Sequence, residues 1–173
     1  MKDVWKKYDQ TELTHSSVHH LLAIKTLRKE NGYARSVDIA NHLNISRASV
    51  SITVNKLKEK GFIAEDKNKF LQLSKKGNSI VNSVLSKRRI IELFFTKVLE
   101  LSPDESEINA CKTEHLISEP AGRKLISFMG FFLSDQKDAV KFRKEFKKFN
   151  YICESINDCQ LCELECYLNN SKR

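Results

Sequence analysis

The chain has 173 residues and a formal net charge of +8, from 30 Lys and Arg against 22 Asp and Glu. That length accommodates one ordinary domain or two small ones sharing a core. No apolar run approaches the roughly 20 residues of a membrane span, and Met1-Lys2-Asp3-Val4-Trp5-Lys6-Lys7 lacks the apolar centre of a signal peptide, so a cytoplasmic protein without a membrane partner is expected.

In that compartment the five cysteines are expected as free thiols or metal ligands, not disulfides. The charge is lopsided. Residues 1–100 hold 19 Lys and Arg against 10 Asp and Glu, whereas residues 101–173 hold 11 against 12. A basic first half joined to a near-neutral second half is the electrostatic footprint of a nucleic-acid-binding domain attached to something else.

The first predicted element is a helix from about Ser16 to Glu30, with Val18, Leu21, Leu22, Ile24 and Leu27 at helical spacing and Gly32 ending it. His19 and His20 lie in its first turns. Arg35 to Gly61 then reads as a short helix capped by Ser36, a tight turn at Asn44-Ile45, and a second helix capped by Ser46. Ile39, Ala40, Leu43, Ile45, Val50, Val54 and Leu57 form its apolar seam. Arg47, Ala48, Ser49, Ser51, Ile52 and Asn55 are left facing outward. That outward face is small and hydrogen-bonding, with no acid before Glu59, which suits close approach to a major groove. Phe62–Asp66 and Lys69–Leu73 read as two strands about the polar turn Lys67-Asn68. The unit is therefore a winged helix-turn-helix, with Ser36, Ser46, Lys67 and Lys69 placed to support contacts to the DNA backbone.

From Ser74 to about Leu99 the pattern is one long helix, too apolar for a single narrow stripe, and Pro103 opens the next. On that next helix Cys111, Glu114 and His115 fall on one face, because positions i, i+3 and i+4 overlie one another. Thiolate, carboxylate and imidazole together suit a divalent transition metal. Three ligands do not complete an octahedral site, so a further ligand is expected from elsewhere, with His19 or His20 as candidates. Pro120 opens another helix whose Leu125, Ile126, Phe128, Met129, Phe131, Phe132 and Leu133 exceed what a small solvated helix can hide, pointing to a homodimer interface. Asp138–Phe149 is amphipathic, with Phe142, Phe146 and Phe149 on one side, expected to pack against the body, and bases on the other. Cys153, Cys159, Cys162 and Cys166 close the chain and suit tetrahedral zinc or an iron–sulfur cluster.

With these elements in place, the chain resembles the diphtheria-toxin-repressor family of metal-dependent transcriptional regulators, over roughly Ser16 to Met129. Gly32-Tyr33-Ala34-Arg35-Ser36-Val37-Asp38-Ile39-Ala40 is similar to the manganese-branch entry to the helix-turn-helix. Cys111-x-x-Glu114-His115-Leu116-Ile117-Ser118 is similar to the iron-branch metal motif. The resemblance implies a homodimer that binds palindromic operators when loaded with Fe(II) or Mn(II), with no enzyme activity and no small-molecule substrate. It also implies Cys111, Glu114 and His115 as ligands, with His19, or His20 in a shifted register, as the ligand from the first helix. Glu92 matches an ancillary-site carboxylate. The ancillary histidines are replaced by Arg88 and Glu107, so that second site is expected to be lost to an Arg88–Glu92 ion pair. The family's SH3-like domain is expected to be absent, with the Cys-rich tail standing in that region.

The expected fold is mainly α. A winged helix-turn-helix occupies 1–73, a helical dimerisation and metal-sensing domain 74–134, and a helix with the Cys-rich tail 135–173. An alternative gives control to the four C-terminal cysteines, as a redox or iron–sulfur sensor. An enzyme using Cys111 and His115 is disfavoured, because no oxyanion-hole signature accompanies them.

Overall fold

The computed structural model describes residues 13–149. Helix α1 (His15–Asn31) opens at Thr14, whose hydroxyl accepts the Ser17 N–H at 3.2 Å. It stops at Gly32, whose φ of 81° suits a residue without Cβ. Its buried stripe is Val18, His20, Leu21, Ala23, Ile24 and Leu27.

Helix α2 (Ser36–Leu43) differs from the expected capping. Ser36 is its first helical residue, and the Asp38 carboxylate reaches back to accept the Arg35 N–H at 3.0 Å. The chain turns at Asn44, φ 52°, into α3 (Arg47–Glu59), which Ser46 caps by accepting from the Ser49 N–H at 3.1 Å. The same turn swings Ile45 out of the seam, leaving it 39% exposed.

Strands β1 (Ile63–Glu65) and β2 (Leu71–Leu73) pair antiparallel, with Ile63 opposite Leu73. They are shorter than the sequence suggests because the Asp66 carboxylate gathers the tip, accepting from the Asn68 and Phe70 N–H groups at 2.9 Å each. The Leu71 N–H donates to Ala34 O at 2.8 Å, tying the wing to the loop before α2.

Helix α4 (Lys75–Lys97) begins at Ser74, whose hydroxyl accepts from the Gly77 N–H at 3.0 Å and whose own N–H donates to Phe62 O at 2.9 Å. This close approach requires glycine at 77, since a Cβ there would lie 2.1 Å from Phe62 O. Helix α5 (Pro103–Thr113) starts behind the Ser102 cap and packs along α4. Helices α6 (Glu119–Phe132) and α7 (Lys137–Lys148) follow.

The main core joins Leu21 and Ile24 of α1 to Ile39, Val50, Leu57, Phe62 and Leu71, and takes in Val81 and Val84 of α4. The long helix thus shares the core of the winged module instead of starting a separate body. One compact unit ends at Ile126, within α6, and a second begins at Ser127. In the second unit Met129, Phe132 and Ala139 are buried, and Arg143 donates to Phe132 O and, at 2.9 Å, to Ser134 O. Phe142 and Phe146 stack with ring centroids 6.0 Å apart, yet they and Phe149 stay 44%, 39% and 70% exposed. Among the described residues no helix is long and apolar enough to cross a membrane.

Candidate metal centre and nucleic-acid interface

His15 and His19 lie one turn apart on α1, so their rings share a face and meet edge to face with centroids 4.4 Å apart. Across from them stands Cys111, on α5, with its Sγ 3.4 Å from His19 Nε2. The metal-ligating atoms of His15, His19 and Cys111 all fall within 4.8 Å of one another. His115 adjoins through His15, the two Nδ1 atoms being 3.4 Å apart. His15 did not figure in the sequence reading. The signal that could have found it is the His-x3-His spacing of residues 15 and 19, which places two imidazoles on one helical face.

The expected single face of Cys111, Glu114 and His115 does not form. Helix α5 ends at Thr113, Glu114 closes it and His115 lies in the turn beyond, held near α4 by Lys87 Nζ donating to Ile117 O at 2.9 Å. Each of the three side chains turns to a different neighbour: Cys111 to His19, His115 to His15, and Glu114 to Arg88. Both Glu114 oxygens are engaged, Oε2 by Arg88 Nε and Oε1 by Arg88 Nη2 at 2.9 Å, and the carboxylate is fully buried. Arg88 Nη2 also approaches Cys111 Sγ at 3.9 Å. The expected Arg88–Glu92 pair is thus replaced by Arg88–Glu114, while Glu92 accepts from Arg89 at 3.2 Å. Glu107 is exposed. His20 points into the core, its Nδ1 2.7 Å from Ser16 O, so the register favours His19. Cys153, Cys159, Cys162 and Cys166 lie outside the described residues.

Burial, then the charges of His15 and Arg88, lower the His19 pKa. Burial and then His15 lower that of His115. Burial pushes the Cys111 thiol up, against the pull of Arg88. Both histidines are therefore biased toward the neutral imidazole that can donate a lone pair. The donor set fits a first-row divalent ion. Metal–N and metal–S bonds of about 2.0 and 2.3 Å in a tetrahedron put ligand atoms roughly 3.3–3.6 Å apart, close to the 3.4 Å found for His19–Cys111 and for His15–His115.

The winged module presents a second surface. Arg47, Ala48, Ser49, Ser51, Ile52 and Asn55 of α3 are exposed, Ile52 at 58%, as are Ser46, Lys67 and Lys69, and Ser36 is half-buried. A groove of about 420 Å³ runs between α3 and the wing, lined by Arg35, Ser36, Ser51, Asn55, Lys58 and Lys69. Arg35 lies over the Phe70 ring at 4.6 Å, which holds its guanidinium in place. Glu65 also lines the groove, but a hydrogen bond from Lys58 at 2.7 Å holds its carboxyl below the usual range, so its charge is matched. Arg35 and Lys58 are additions to the expected face.

Two family models match the chain. "Iron dependent repressor, N-terminal DNA binding domain" covers residues 12–71, and "Iron dependent repressor, metal binding and dimerisation domain" covers 74–142. The iron-dependent repressor IdeR of Mycobacterium tuberculosis is 29% identical over 118 residues, 68% of this chain and 51% of the relative. The diphtheria toxin repressor of Corynebacterium diphtheriae is 27% identical over 129 residues, 75% of this chain and 53% of the relative. The chain thus spans about half the length of the curated relatives it matches. Among solved structures, the manganese regulator SloR superposes with a TM-score of 0.60 at 28% identity, covering 66% of this chain and 53% of that one. The hypothetical protein SSo2273 of Sulfolobus solfataricus gives 0.59 at 25%, covering 68% and 90%.

Proposed function

Because this chain belongs to the iron-dependent repressor family, we propose that it is a metal-dependent transcriptional repressor. It binds palindromic operator DNA as a homodimer when loaded with Fe(II) or Mn(II), and it controls metal-homeostasis genes. The observation that carries this reading is the meeting of His19 with Cys111 at 3.4 Å, because the two residues stand on elements with different tasks. Helix α1 packs on α2, α3 and β2, the parts that would face DNA, and on the start of the long helix through the shared core, whereas α5 packs on the long helix α4.

A bound divalent cation would supply a crosslink between α1 and the end of α5. The residues do the rest. His19 and Cys111 would tie α1 to α5. Through the α1 core contacts Leu21, Ile24 and Leu27 that link passes to α3. Exposed Arg47, Ser49, Ser51 and Asn55 would then enter a major groove, with Lys67 and Lys69 on flanking phosphates. In a dimer the two α3 helices must stand about 34 Å apart to reach successive grooves. A ligand that moves such an arrangement from 1:99 to 99:1 needs about 5.5 kcal/mol of differential affinity. Exposed Ile126, Phe131 and Leu133 of the α6 region, 40–46% accessible, supply apolar surface for the partner copy.

The test is operator binding followed by fluorescence anisotropy under anaerobic conditions, titrated with Fe(II), Mn(II) or Zn(II). Wild type should bind only when metal is present, and Cys111→Ala or His19→Ala should lose that dependence while keeping the helical circular dichroism spectrum. Equal operator affinity with and without metal would refute the proposal.

A further inference from the structure

We propose that Arg88 withdraws Glu114 from the metal and that His15 takes its place. The ion is then held by His15, His19, His115 and Cys111 in a three-nitrogen, one-sulfur tetrahedron. This deepens the metal-dependent reading above and rests on it. Three observations carry it. Glu114 is fully buried and both its oxygens accept from one guanidinium, so to reach an ion the carboxylate would have to leave its counter-charge without gaining solvent. The metal-ligating atoms of His15, His19 and Cys111 already converge within 4.8 Å, a group that holds neither Glu114, which is engaged by Arg88, nor His115, which adjoins it through His15. His115 stands 3.4 Å from His15 Nδ1, a separation appropriate to two nitrogens on one tetrahedral ion.

Charge argues the same way. A divalent ion with one thiolate leaves a single positive charge at the centre, while Arg88 and Glu114 cancel one another alongside it. Were Glu114 a ligand, the centre would be neutral and Arg88, 27% exposed, would be left without its carboxylate. Imidazole and thiolate favour Fe(II), Zn(II) and Co(II), whereas Mn(II) is best served by carboxylate and water and stands lowest in the affinity order. The expected ligand is therefore a borderline divalent ion, with Mn(II) discriminated against.

The experiment uses the full chain, stripped with chelator, under anaerobic conditions, with Co(II) as the spectroscopic probe and separate Fe(II), Zn(II) and Mn(II) titrations. Wild type should give the intense visible bands of tetrahedral Co(II) with thiolate-to-metal charge transfer in the near ultraviolet, and should bind Fe(II) and Zn(II) well ahead of Mn(II). His15→Ala changes an exposed residue, so the fold should survive. It should lose more affinity than the roughly 10–100-fold that removing an outer partner costs, and the tetrahedral bands should fade. Glu114→Gln should keep the bands. Arg88→Gln, which frees the carboxylate, should shift the spectrum toward the weak bands of higher coordination and narrow the gap between Zn(II) and Mn(II). Persistence of the wild-type spectrum in His15→Ala, or its loss in a folded Glu114→Gln, overturns this assignment and leaves the metal-dependent reading standing. Failure of wild type to bind any ion overturns both.

Discussion

Replacing Arg88 by Met strands a carboxylate. Glu114 has no solvent exposure, and the guanidinium that satisfies both its oxygens is itself 27% exposed. Removing one partner from a buried ion pair costs about 3–5 kcal/mol, because the remaining charge stays desolvated. Water that reaches the open flank of Arg88 would partly solvate the vacated space, so the lower end, about 3 kcal/mol, is expected. For a chain of this size each kcal/mol moves the melting temperature by about 2–4 °C, giving a fall of about 6–12 °C. Glu114→Leu should cost less, since the longer Arg88 side chain can turn its charge toward solvent. Combining Arg88→Met with Glu114→Leu swaps the pair for apolar groups of similar bulk, a change that is often neutral or favourable. The double variant should therefore lie well above the sum of the two single losses. The assay is urea and thermal unfolding of chelator-treated protein at one concentration, so that oligomerisation does not enter the comparison. Additive single losses would mean that the two groups do not depend on one another, and the account of the site would fail.

Other expectations follow from the same geometry. Gly77→Ala forces a Cβ to within 2.1 Å of Phe62 O; because the obstacle is backbone, a loss of about 1–3 kcal/mol is expected, and an unchanged melting temperature would show that α4 does not grip the wing as described. The pKa values of His19 and His115 are lowered in the folded chain from 6.5, so on acidification the unfolded chain takes up protons first. Stability of the metal-free protein should fall as pH drops through 6.5 and level off below the folded values; a urea midpoint that stays flat over that interval would contradict the shifts. Arg47→Ala removes an exposed cation at the start of α3; it should weaken operator binding and flatten the slope of log affinity against log salt by about 1, with metal affinity unchanged.

What the sequence made legible was whatever local signals decide. The Ser46 cap and the turn at Asn44 act within a few residues and stand where the pattern of side chains puts them, and the next two helices start beside Ser74 and at Pro103 as read. The choice of ionic partner was not legible, because it is settled by desolvation across the fold. Glu92 lies four residues beyond Arg88 and satisfies the helical pairing rule, but its side chain is 34% exposed and already in water, whereas Glu114 is at 0% and can be ionised only beside a cation. Burial thus outweighs proximity in sequence. The end of α5 was no more legible, since no Gly or Pro interrupts Thr113-Glu114-His115, and just beyond it Lys87 of another helix holds Ile117. The Cys-x-x-Glu-His pattern reads as one ligand face only if no cation reaches the carboxylate first. On the facing helix α4 the residue at 88 is Arg, which makes Glu114 half of an ion pair; in the assignment proposed above, the place on the ion that the pattern gives to the carboxylate passes to an imidazole on α1.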